Sequence, residues 1–367
     1  MYRLLQLSDD RPASWFSKSQ YFDLLKNKRN FMDRTFNNNI YNPKAAQLIS
    51  NFEFPKVAKY TYQSNYAIQQ FDKTRAEKFL TKLSSFHTRY YNSTTGAQAS
   101  YFIKDHIDSI IKDHKYKNMV EVEEVKHDNW GQISLIVRFK GYGNSSEIVV
   151  LGSHLDSVND EDPENGRSPG ADDDGSGVTI LIELIEIFVK TEYQPIKTLE
   201  FQFYSAEEVG FLGSQQIAQS YYNQTKEVIG MLQLDMAGYS TNDYTDPELS
   251  KFVKLLIKTY TSTSIIDDKC GYACSDHAAF TEVGYRSAFI IEDEFSPVYH
   301  SDKDTVDSVN FEYLLEFFKV SLGFAIELSE PNNITMPHSY SIKLSPDLFK
   351  ASLSCTILLF LLECIVI

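Results

Sequence analysis

Three carboxylates stand side by side in residues 168–178, SPGADDDGSGV, just before an apolar run: Asp172, Asp173 and Asp174. Like charges repel, so such a triplet needs a cation or a turn to justify it. Other candidate groups recur along the chain. VVLGSHLDS places His154 and Asp156 just past an apolar run, where one could bind a metal and the other orient it. FYSAEEVGFLGS carries the adjacent pair Glu207 and Glu208, MLQLDMAG ends in Asp235, and SPVYHSDKDT supplies His300. Taken singly, each has an ordinary explanation: a polar turn, a pair of acids opening a helix, a salt bridge, a surface histidine. Taken together, two histidines and several carboxylates form a donor set suited to zinc, with more ligands than one open catalytic ion needs. A single carboxylate shared by two ions makes the count work. Nothing competes with this: GADDDGSG lacks the Gly-Lys-Ser/Thr of a phosphate loop, and no nucleophile elbow is present.

The elements that must position these groups alternate. QISLIVRF, SEIVVLGSHL, TLEFQFYS, VIGMLQLDM and SAFIIED read as strands. GVTILIELIEIFVK, GSQQIAQSYYN, PELSKFVKLLIKTY and FEYLLEFFKVSLGFAIEL read as helices, as do two earlier amphipathic stretches between about residues 74 and 116. Alternation of this kind implies a three-layer α/β/α sandwich around a mixed, mostly parallel sheet. In such sheets ligands bind at the carboxyl ends of strands, which is where the candidate residues fall. Residues 1–66 are polar and aromatic, with YFDLLKNKRNFMD the one helical-looking piece, and read as an arm before a catalytic domain over 67–330. Residues 331–367 form an extension.

The chain has 367 residues and a net charge of −15, with 43% hydrophobic residues, so it is a folded protein with no basic tract for nucleic acid. The apolar stretch 352–367 is broken by Glu363 and falls short of the roughly 20 residues of a spanning helix. The opening residues lack the basic and apolar regions of a signal peptide, so the expectation is either a cytosolic chain or a leader missing from this sequence. Sequons at Asn92, Asn144, Asn223 and Asn333 are compatible with glycosylation.

GSHLDS, PGADDDGSGV, YSAEEVGFLGS, QLDMAG, CGYACSDHAAF and HSDKDT occur in the order and approximate spacing of the two-zinc leucine aminopeptidases, and over residues 75–328 the chain resembles that family. The resemblance implies two Zn2+ per chain, with His154 and Asp235 on one, Glu208 and His300 on the other, and Asp172 bridging them. It implies Glu207 as general base, Asp156 holding His154 from behind, and a cis peptide between Asp172 and Asp173, the latter supporting the bridge. It further implies an apolar pocket of Met236, Cys270, Cys274, Ile291, Phe295 and Tyr299, which favours Leu or another large apolar N-terminal residue. Tyr272 would assist at the substrate carbonyl, and Cys270 and Cys274 would form a disulfide. The expected partners are peptides with a free N-terminus, acted on by a secreted monomer whose arm masks the site until removed. Same-fold glutaminyl cyclases and carboxypeptidase-type relatives are the nearest rivals. The full set of five ligands argues against a cyclase or an inactive receptor-like protein, and the lack of a domain-sized insertion argues against a carboxypeptidase.

Overall fold

The computed structural model describes residues 2–36, 52–112, 114–115, 117–143, 145–236, 239–241, 245–268, 272–292 and 296–336. Met1–Ile334 form one compact unit. The chain opens with short strands β1 (Tyr2–Gln6) and β2 (Ser14–Ser17), helix α1 (Lys18–Lys26) and strand β3 (Met32–Asp33). Helices α2 (Thr61–Ile68), α3 (Lys73–Leu83) and α4 (Thr94–Ile111) follow, then strands β4 (Val120–Val125), β5 (Ser134–Phe139) and β6 (Glu147–His154). From there helices and strands alternate: α5 (Gly175–Lys190), β7 (Gln194–Pro195), β8 (Thr198–Tyr204), α6 (Leu212–Asn223), β9 (Glu227–Leu234) and β10 (Tyr239–Thr241). The remaining elements are α7 (Pro247–Tyr260), β11 (Asp267–Asp268), α8 (His277–Glu282), β12 (Ser287–Ile291), α9 (Phe311–Ser329) and β13 (Pro331–Asn333).

Eight strands form the main sheet in the order β11-β10-β12-β9-β6-β8-β5-β4. The central β12, β9, β6 and β8 are parallel, while β5 runs antiparallel to both β8 and β4, and β10 antiparallel to β12. The expected mixed sheet between two helical layers is therefore present. Its layers follow from the two-residue alternation of side chains along a strand. In β6, Val149 and Leu151 join the core that contains Ile180, Leu184 and Phe188 of α5, whereas Ile148 and Val150 join a second core with Ile217 and Tyr221 of α6 and Phe280 of α8. Both faces of the central strand are thus apolar, and its polar end at His154 is left for chemistry.

One reading along the chain needed revision. The helical piece expected across residues 21–33 stops at Lys26, and the segment beyond it becomes β3, which pairs with β1. The expected boundary between residues 66 and 67 falls inside α2. Leu5, Tyr21, Leu25 and Phe31 of the arm pack with Tyr90, Trp130, Ala206, Val209 and Leu212. The apolar stretch 352–367 lies outside the described residues. Among the described residues, no helix is long and apolar enough to cross a membrane.

Helix α5, which begins at the triple-aspartate turn, is held from its middle by an ion pair with α3. Arg75 donates from Nε and Nη2 to the two oxygens of Glu183, at 2.7 and 2.6 Å, and the Asp72 amide adds a third bond at 3.3 Å. Burial pushes the Glu183 carboxyl up while Arg75 pulls it back. Removing the guanidinium strands a buried carboxylate. Arg75→Met should therefore destabilise the fold by about 3 kcal/mol at neutral pH, read by denaturant unfolding.

Candidate metal centre and active site

Each candidate side chain sits where a central strand ends or a helix begins. His154 closes β6, Glu207 and Glu208 lie in the turn after β8, Asp235 follows β9, and His300 lies in the loop after β12. The aspartate triplet immediately precedes α5, where Asp174 is the cap: its Oδ1 accepts from the Gly177 amide at 3.0 Å. Caps of this type satisfy the unpaired amides of a first helical turn.

Asp173 is the shared carboxylate. His154 Nε2 lies 3.0 Å from its Oδ1, and His300 Nε2 lies 2.9 Å from its Oδ2. On the first side, Asp235 Oδ1 is 3.4 Å from His154 Nε2. On the second, Glu208 Oε2 is 2.8 Å from His300 Nε2. The ligand atoms form two groups, His154, Asp173 and Asp235, and Asp173, Glu208 and His300, each spanning no more than 4.8 Å. Asp173 Oδ2, Glu208 Oε1 and His300 Nε2 are buried without a hydrogen-bond partner, as expected of groups that face a cation. Both sets mix imidazole with carboxylate, the donor chemistry of a zinc site, so the residues fit the ions that the sequence implies.

The carboxylate common to both groups is therefore Asp173, where Asp172 was expected, and the cis peptide lies between Asp173 and Asp174 instead of between Asp172 and Asp173. The physical reason is how the turn is held. Asp304, itself buried, accepts the amides of both Asp172 and Asp173 at 2.9 and 3.1 Å. Asp174 is occupied by its cap, by Ser153 Oγ at 2.5 Å and by the Met236 amide at 3.2 Å. Only the middle side chain is free to enter both ligand groups. Asp172 is crowded instead: burial, then Glu292 and Asp304, push its carboxyl up to about 8. For Asp173, burial acts upward, but His154 and His300 outweigh it and hold the carboxyl well below the usual range.

Around this centre the turn with the two glutamates is fixed through Asp156. Its two oxygens accept the amides of Glu207 and Glu208 at 3.0 and 3.3 Å. Its distance to His154 Nδ1, 3.6 Å, is longer than a hydrogen bond, so the support expected for His154 goes mainly to the glutamate turn. Glu207 is nearly buried, and desolvation pushes its carboxyl well above the ordinary range against the pull of His154. Glu208 is raised to about 7 by burial and by Asp173. Ser275 donates to Asp235 at 2.7 Å.

Sequence reasoning missed two supporting acids. Asp160 accepts from His300 Nδ1 at 2.9 Å, and Asp304 anchors the triplet. Neither shows a signal beyond lying near a singled-out residue. Of the pocket residues, Met236, Ile291 and Tyr299 cluster with Phe289 and Cys274, while Tyr272 packs elsewhere, with Met32, Phe211 and Ala273. Cys274 is in a disulfide; Cys270 and Phe295 lie outside the described residues.

The sequence profile described as Peptidase family M28 matches residues 134–325. The chain belongs to this family. It is 36% identical to Leucine aminopeptidase 1 of Ajellomyces capsulatus over 338 residues, covering 86% of each chain. It is 35% identical to a probable aminopeptidase of Saccharomyces cerevisiae, over 89% of this chain and 92% of that one. The crystal structure of LapB from Legionella pneumophila superposes with a TM-score of 0.77 at 26% identity, covering 90% of this chain and 95% of LapB. This M28 chain is accordingly a peptide-bond hydrolase with aminopeptidase function, and peptides are its substrates.

Exchange of the two neighbouring aspartates separates the bridge from its support. In this M28 chain Asp173→Asn should cost far more activity than the roughly 10- to 100-fold typical of outer-shell changes, and Asp172→Asn should stay within that range. Turnover and bound metal, measured on both variants, check the assignment.

Proposed function

We propose that the chain is a two-zinc aminopeptidase that removes Leu or another large apolar residue from the N-terminus of peptides. The observation that carries this reading is the position of Asp173, one buried carboxylate with each oxygen facing a different histidine. His154 and Asp235 would hold one zinc and Glu208 and His300 the other, with Asp173 common to both. Zinc bound there supplies Lewis acidity: it brings the pKa of a bound water toward about 7 and polarises the scissile carbonyl.

The remaining chemistry belongs to the side chains. Glu207 accepts the proton of the attacking water and delivers it to the leaving amine. Asp156 fixes its backbone by accepting the Glu207 amide at 3.0 Å. The apolar wall of Met236, Phe289, Ile291 and Tyr299 supports the preference for a branched or aromatic first side chain. A disulfide at Cys274 and exposed sequons at Asn92 and Asn223 support a secreted destination.

The test is hydrolysis of leucyl-anilide beside its N-acetylated form, before and after chelation and zinc addition. Only the free amine should be cut, with activity lost on chelation and restored by zinc. Glu207→Gln should keep its metal and lose most turnover. Indifference to chelator, or a fully active glutamine variant, would reject the mechanism.

The arm is also part of the proposal, as a cover for the mouth of the site. Lys28 Nζ lies 3.8 Å from Asp160 and 4.6 Å over the Tyr299 ring, and the Asp33 amide bonds the Gly210 carbonyl at 3.2 Å. Turnover should rise once residues 1–66 are cut away and separated; equal rates for the intact chain and one starting near residue 67 would dismiss a masking role.

A further inference from the structure

Arg89 is a fully buried guanidinium that no step of the proposed chemistry uses. It lies behind the aspartate triplet. Its Nε donates to the Leu155 carbonyl at 2.9 Å, and its Nη2 to the carbonyls of Asp156 and Asp173, both at 3.4 Å. Its Nη1 donates to the Pro169 carbonyl. These acceptors come from two separate segments: the turn leaving β6 just after His154, and the turn entering α5 at Asp173.

The backbone of Arg89 is itself held in place. Its amide donates to Ser157 Oγ at 3.1 Å, and its carbonyl accepts from Gln132 Nε2 at 2.8 Å. Gly170, at φ +53°, leaves the space: a Cβ there would stand 2.8 Å from Arg89 Nη2 and 2.4 Å from the Asp173 carbonyl.

A guanidinium buried beside Asp156, Asp173, Asp174 and Asp304 would ordinarily pair with a carboxylate. Here, among the described residues, every hydrogen bond donated by the side chain goes to a peptide carbonyl. The carboxylate oxygens of Asp173 consequently stay available. Burial pulls the guanidinium down from its ordinary value, and the surrounding acids oppose that shift.

We infer that Arg89 is a positioning residue for the metal centre: by tying the His154 turn to the Asp173 turn, it sets the spacing between two of the three ligands at the first metal position. A planar fork with five donors can span two loops in this way, and the single ammonium of lysine cannot. The inference rests on reading His154 and Asp173 as ligands.

The test is Arg89→Lys, loaded with Co2+ as a spectroscopic stand-in for zinc, alongside the unaltered protein. The expected result is a folded variant with kcat lower by about 10- to 100-fold. Its KM should be little changed, its visible Co2+ spectrum shifted and its metal affinity weaker in competition with a chelator. Because lysine retains the charge, such a result assigns the effect to geometry. As a second arm, Arg89→Ala refolded with ethylguanidinium should recover part of the lost turnover and the original spectrum. A lysine variant with the unaltered kcat and spectrum would overturn the inference, even if its Tm fell. So would failure of both variants to fold under any condition, since Arg89 would then serve folding alone. If the unaltered protein bound no Co2+, the two-metal reading itself would fail, an outcome distinct from either of these.

Discussion

Buried negative charge is the constraint on which the rest of the structure depends. Asp156, Asp173, Asp174, Glu207, Glu208, Asp235 and Asp304 are all buried at one end of the sheet. Desolvation alone costs several kcal/mol per uncompensated ion, and mutual repulsion adds to it. The chain answers with His154 and His300, with Arg89, and with backbone amides aimed at Asp156, Asp174 and Asp304. Those groups satisfy the supporting acids and leave atoms of Asp173, Glu208 and His300 without partners. An arrangement that pairs its outer acids and leaves its innermost ones open is suited to holding cations.

The opening triplet shows how the charge is divided. Asp172 offers its amide to Asp304 and its carboxyl crowds Glu292; Asp173 faces both histidines; Asp174 caps α5 and ties down Ser153 and the Met236 amide. Three identical residues thus have three environments. The triplet, both histidines, both glutamates and Asp235 stand out in the sequence because each is a polar group in a turn beside an apolar strand or helix. The sequence could not say which aspartate turns inward. That choice depends on Asp304, more than a hundred residues away, and on the hydrogen bonds of a turn with no periodicity to read.

The same division separates the legible from the hidden elsewhere. The helices and central strands were legible because burial leaves a pattern, as in the wide apolar face of α5 or the nearly unbroken apolar run of β9. The arm was not. Its strands β1 to β3 are only a few residues long, and their partners lie in one another and in distant segments around Trp130 and Val209. Arg89 and Asp160 escaped notice for a related reason: an arginine before two tyrosines or an aspartate in a polar loop gains meaning only from what folding brings against it.

The sheet topology explains why so many dispersed residues meet. From β6 the chain passes through α5 to β8 on one side, then through α6 to β9 on the other side of β6. Because such crossovers share one hand, reversing direction puts α5 and α6 on opposite faces. The strand order turns back at β6, and the loops leaving its carboxyl end and those of its neighbours diverge around a crevice. His154 stands at the end of β6, Glu207 and Glu208 beyond β8, and Asp235 beyond β9, so the three parallel neighbours each contribute to one rim. Asp173 reaches that rim from the N-terminus of α5, where the helix dipole favours a negative charge. Only His300 comes from farther along, after β12, and it closes the second ligand group from the outer side.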